Sequence, residues 1–91
     1  MVGALRLKDM VLEFNYAIEK KFKLFAVEVR LPNTSTNEII INRLAGIRDK
    51  LEYYKNAYDE NLCLKTNSQV QIVGYDFADF VDELKFFDNE G

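Results

Sequence analysis

The stretch Arg48 to Phe87, RDKLEYYKNAYDENLCLKTNSQVQIVGYDFADFVDELKFF, decides the fold. In its first part Leu51, Tyr54 and Tyr58 repeat at spacings of three and four, and Leu44 and Ile47 extend the same seam backwards. That period predicts an amphipathic helix beginning at Gly46 and ended by Glu60-Asn61, with Arg48, Lys50, Glu52, Lys55 and Asp59 largely facing water. Leu62 to Thr66 and Gln69 to Tyr75 then read as strands around a two-residue turn at Asn67-Ser68, with Leu62 and Leu64 facing inward against Val70 and Ile72. Gly74 allows a bend. Asp76 is placed to cap a last helix, with Phe77, Phe80, Val81 and Leu84 as its apolar face and Phe87 one turn beyond.

Upstream, Met10, Val11, Phe14, Ala17 and Ile18 share one side of a helix expected over Lys8 to Lys20. Phe22 to Leu31 reads as a strand, with Phe25, Val27, Val29 and Leu31 on one side and Leu24, Ala26, Glu28 and Arg30 on the other. Pro32 ends it, and Asn33 to Asn37 is a polar loop. Glu38 to Asn42 is ambiguous: β-branching at Ile39, Ile40 and Ile41 favours a strand pairing back on Phe22 to Leu31, while the same residues can open the next helix. The expected fold is therefore α+β, one domain over residues 1–91. A mainly antiparallel sheet of three or four strands packs against two or three helices in the order α-β-(β)-α-β-β-α, and the acidic terminus frays from about residue 88.

Ninety-one residues, 48% hydrophobic and 30% charged, make a globular domain with a small core. The net charge of −3 is unevenly placed: residues 1–74 carry +2, and residues 75–91 carry −5 from Asp76, Asp79, Asp82, Glu83, Asp88 and Glu90 against Lys85. Such an acidic face repels duplex DNA and suits a basic protein surface. Cys63 has no second cysteine to pair with and is expected to be a quiet, partly buried thiol, which fits a reducing compartment. No run of 18 apolar residues and no signal-like start is present, so no membrane span is expected.

Catalysis is the weakest functional class. Without histidine the usual neutral-pH general base is missing, and no Ser-His or Cys-His nucleophile can be assembled. Carboxylate pairs need no histidine, but Asp79, Asp82 and Glu83 have the spacing of solvated helix acids. Nor do Asp76, Asp79, Asp82 and Glu83 match a calcium-binding loop, and no cofactor is implied. Nucleic-acid binding is a rival reading: Lys20, Lys21, Lys23 and Arg30, with Arg43, Arg48, Lys50 and Lys55, lie near Phe22 and Tyr53. Acids interrupt every one of those runs, which makes direct nucleic-acid contact the lesser expectation.

Protein recognition fits best. Tyr53 and Tyr54 are neighbours, and if Tyr54 joins the buried seam, Tyr53 points about 100° away and is part-exposed. Tyr53 and Phe86 with Asp79, Asp82 and Glu83 are thus the candidate protein-binding residues, aromatics ringed by charge. A homodimer is the alternative, through Leu24 and Ala26 or through edge pairing of the first strand.

The stretch Lys50 to Lys65, followed by Val70-Gln-Ile-Val-Gly, resembles small accessory proteins of bacteriophages and plasmids of low-GC Gram-positive bacteria. The resemblance covers about half of the chain and brings no catalytic or binding residues with it. It implies a cytoplasmic protein of the bacterial host that acts stoichiometrically on a host protein, as in blocking a defence nuclease or a polymerase. An alternative it implies is a self-associating protein that organises or regulates a phage or plasmid complex.

Overall fold

Phe25, Val27 and Val29 alternate with Leu24, Ala26 and Glu28, and this single strand sorts the core into two layers. The structure, a computed structural model, describes residues 5–43 and 46–87. The expectations placed on Leu44, on the side chains of Ile47 and Phe87, and on fraying from about residue 88 lie outside the described residues. The elements are α1 (Leu7–Glu19), β1 (Leu24–Arg30), β2 (Glu38–Arg43), α2 (Ile47–Ala57), β3 (Cys63–Leu64) and β4 (Asn67–Ala78), followed by 3-10 turns at Val81–Glu83 and Lys85–Phe87. The four strands form one antiparallel sheet in the order β2-β1-β4-β3, with α1 and α2 on one face. The α+β class and its sheet are as the periodicities predict, and Glu38–Arg43 resolves as a strand.

The helix-side core gathers Met10, Phe14 and Ala17 from α1, Phe25, Val27 and Val29 from β1, Leu51 and Tyr54 from α2, and Tyr58, Leu62 and Ile72. Phe14 stacks on Phe25 with ring centroids 3.8 Å apart. Asn42 is the buried polar residue of this layer; its amide donates to the Phe25 carbonyl and to the Tyr54 hydroxyl, both at 3.2 Å.

Helix ends are set by backbone chemistry. At the end of α1, Lys21 takes φ 62°, its N–H donates to the Ile18 carbonyl, and the Phe22 N–H donates to the Ala17 carbonyl. This pair of bonds satisfies two orphan carbonyls and turns the chain straight into β1, with lysine where glycine is usual. Gly46 precedes α2 at φ 86°, a conformation that a side chain disfavours.

Four expectations are corrected. The hairpin turn falls at Lys65-Thr66, because Leu64 pairs with Asn67. The Leu64-Lys65 pair is captured by the end of α2: Tyr58 bridges Leu64, and the Lys65 N–H donates to the Ala57 carbonyl at 2.9 Å. Leu62 is not in a strand; it sits at φ 64° with its side chain fully buried, while its carbonyl accepts the Ile72 N–H. The last helix does not form, because β4 continues through Asp76 and Phe77 to Ala78 alongside β1. A bulge between Glu28 and Val29 lets Ile72, Tyr75 and Phe77 all pack on the helix-side core despite the change from even to odd positions. Finally, neither route to a homodimer survives: Leu24 and Ala26 are buried, and β1 is a central strand.

Candidate interaction surface

What buries Leu24 and Ala26 is the chain after β4. Leu84 drops onto them together with Ala78, and Ile39, Ile41 and Phe86 pack around this second, smaller core. Residues 79–86 thus form a strap across the sheet face opposite the helices. Gly74 makes room for it: a side chain there would begin 3.1 Å from Glu28 Oε1 and 3.4 Å from the Phe86 ring.

Between Ala78 and Leu84 the strap bulges outward as an acidic knuckle, and its backbone is tied down by its own carboxylates. Glu83 Oε1 accepts the N–H groups of Asp79 and Phe80, each at 3.3 Å. Asp79 Oδ1 accepts the Lys23 N–H at 3.3 Å, joining the knuckle to the start of β1. Asp76, expected to cap a helix, accepts the Lys85 N–H at 2.8 Å and the Phe77 N–H at 2.9 Å, one from each of its oxygens. Asp82 makes no hydrogen bond among the described residues and faces water.

The two apolar side chains at the tip are not buried. Phe80 is 60% exposed and Val81 41% exposed, with the Lys23 ammonium 5.7 Å from the Phe80 ring centroid. The helical period Phe77-Phe80-Val81-Leu84 assigned them to a core face, and the structure assigns them to the surface. A competing strand alternation at Tyr75-Phe77 also stands in the sequence, and pairing with β1 decides in its favour.

The five candidate residues fall on two surfaces. Asp79, Asp82 and Glu83 are exposed together on the knuckle, and Phe86 is half-buried beside them in the smaller core. Tyr53 is 52% exposed, as its position relative to Tyr54 predicts. However, it packs edge-on against Tyr54 and Tyr58 at centroid distances of 5.3 and 6.4 Å, on the helix side of the sheet. The sheet separates it from the other four.

A second feature lies where the start of α1 meets the end of α2 and the β3 hairpin. It is an open groove of about 970 Å³, with Leu7, Val11, Leu12 and Tyr58 as its apolar lining and Arg6, Lys8, Lys55 and Lys65 as its cations. Asp59 and Glu60 line it as well, and Asp59 Oδ1 accepts the N–H groups of Asn61 at 2.9 Å and Cys63 at 3.0 Å. The Glu60 carbonyl accepts the Leu7 N–H at 2.9 Å and so pins the start of α1 to this loop.

The tyrosines around α2 predict an alkaline transition. Burial foremost, then the neighbouring Tyr53, Tyr54 and Glu38, pushes Tyr58 up to about 12 from an ordinary value near 10. Burial likewise raises Tyr54, against the opposing effect of its bond with Asn42, and burial raises Tyr75. The folded state prefers the neutral phenols. The stability they confer is complete below about pH 10 and lost as pH rises towards about 12. Melting temperature followed against pH should fall across that window, and Tyr58→Phe should make the fall shallower.

Among the described residues no three Asp, Glu or Cys side chains gather as a metal site, and no helix is long and apolar enough to cross a membrane. Compared with protein-family profiles, curated proteins and solved structures, the chain matches none.

Proposed function

We propose that this chain is a non-enzymatic protein-binding module whose acidic knuckle docks on a basic surface of another protein. The observation that carries this reading is Phe80, 60% exposed at the tip of a backbone pinned by Glu83, Asp79 and Asp76. An exposed aromatic on a pre-ordered backbone loses little conformational freedom on binding, and flanking carboxylates steer it towards cations. Asp82 is the carboxylate with no internal duty, so it is the one free to meet a partner's Lys or Arg. Phe86 supports the knuckle from beneath, and Tyr53 lies outside the docking surface.

The resemblance to phage and plasmid accessory proteins supplies the setting: a bacterial cytoplasm, and a host protein modulated or inhibited by occupation of a site that otherwise meets a polyanion. No cofactor enters this reading.

The test is a tagged pull-down from a low-GC Gram-positive lysate, with and without nuclease treatment, run side by side for the parent chain, Phe80→Ala, Asp82→Lys and Tyr53→Ala. A stoichiometric protein that survives nuclease should be held by the parent and by Tyr53→Ala. Phe80→Ala and Asp82→Lys should each weaken it by about tenfold or more, as expected for an interface anchor. Loss on Tyr53→Ala with retention on Phe80→Ala would move the docking surface to the helix side and sink the knuckle.

A further inference from the structure

The groove and the knuckle are complementary in both apolar character and charge, although they lie on one molecule. The groove offers an apolar floor, on which Leu12 is 67% exposed, ringed by Arg6, Lys8, Lys55 and Lys65. Of these, Lys55 is 3.4 Å from Glu52 in an exposed pair, which is easily exchanged for another carboxylate. Against these four cations the lining carries two carboxylates, Asp59 and Glu60, so the rim keeps a net excess of positive charge. The knuckle offers the reverse: Phe80 and Val81 at the tip, with exposed Asp79, Asp82 and Glu83 around them.

They cannot meet within one chain. The groove surrounds the start of α1, whereas the knuckle is tied to Lys23, just past its end; thirteen helical residues separate the two by about 20 Å. We propose that the groove takes the Phe80–Asp82 knuckle of a second copy of this chain. This rests on the reading of the knuckle as a docking element and adds its regulation: a knuckle seated in a neighbour's groove is withheld from any other partner.

Such a contact is head-to-tail. A single contact leaves one groove and one knuckle free, so association continues past two copies unless two copies close reciprocally or a larger ring forms. A contact made by the three residues Phe80–Asp82 is small, so assembly belongs to high protein concentration and low salt.

Sedimentation velocity from about 10 μM to about 1 mM at low salt tests this, the range being that of a weak, small interface. The parent should grow in mass with concentration, to a reciprocal dimer or beyond it. Phe80→Ala, which lacks the knuckle anchor, and Leu12→Asp, which spoils the groove floor, should each stay monomeric. Both positions are exposed, and unchanged circular dichroism and melting would establish that the variants fold. Mixed in equal amounts, the two should restore association as a one-to-one pair and go no further, since one intact groove and one intact knuckle remain between them.

A parent that is monomeric throughout overturns the proposal, as does self-association that survives Phe80→Ala, or a mixture that stays monomeric. Leu12→Asp separates this from the docking reading. If it captures the lysate partner while the parent never self-associates, the groove proposal fails and the knuckle's role in docking stands.

Discussion

Phe25→Ala should lower the melting temperature by about 12–30 °C, the largest loss expected of any single side chain here. Phe25 is fully buried in the central strand, stacks on Phe14 at 3.8 Å, and lies 6.0 and 6.3 Å from the rings of Tyr75 and Phe77. Removing a buried phenyl ring costs about 3–5 kcal/mol through lost transfer energy and the cavity left behind. A chain of this size has roughly 5–14 kcal/mol in total, so a large share of its stability resides in this ring. The stack joins α1 to the sheet, and the site cannot collapse inward without moving either. Thermal and urea unfolding would both read the loss; a fall of less than about 5 °C, corresponding to about 1 kcal/mol, would show that the Phe14–Phe25 stack does not centre the core.

Leu84→Asp should have the second largest effect, and a different character. Leu84 is 1% exposed and is the strap's one buried side chain between residues 79 and 86. Its burial contributes about 2–3 kcal/mol, and a carboxylate cannot stay against Leu24, Ala26 and Ala78 without a partner. The strap should therefore lift while α1, α2 and the sheet remain assembled. The expected signs are new protease cleavage after Ala78, increased binding of a hydrophobic dye to the uncovered face, and loss of every interaction that depends on Phe80. A variant that melts like the parent and resists cleavage would mean that the strap is held by its hydrogen bonds through Asp76 and Asp79 rather than by Leu84.

Much of the helix side of the molecule was legible from period alone. The α1 stripe and the alternation in β1 each follow one period, and so does the α2 seam at Leu51, Tyr54 and Tyr58. In each case the side chains of that period reach the same core. The C-terminal third was harder because two periods overlap there. Tyr75 and Phe77 alternate as in a strand, while Phe77, Phe80, Val81 and Leu84 space as in a helix. What decides between them is β1, more than forty residues away, whose Leu24 to Val27 edge is open to pair with Tyr75 to Ala78. Local pattern does not contain that neighbour. Leu62 was missed for a related reason: a leucine at positive φ leaves no mark in composition, and it is held there by Asp59 and by the Ile72 N–H.

The same limit explains the candidate site. Exposure of Asp79, Asp82 and Glu83 followed from charge, and exposure of Tyr53 followed from helical angle. Their grouping depended on which face the terminal segment covers. Once it crosses the face opposite α2, Tyr53 drops out and Phe80 enters.

Asn42 has a consequence for how the sheet finds its alignment. β2 slid by two residues along β1 keeps its faces and sets Ile39 in the place of Ile41, so apolar contact resists the slide chiefly at its start, where Glu38 would take the place of Ile40 opposite Val27. Sliding would bring Ile40 to the place of Asn42, under the Tyr54 hydroxyl, and strand that hydroxyl in an apolar layer at a cost of about 1–3 kcal/mol. A single amide thus proofreads the end of a strand that Glu38 polices at its beginning.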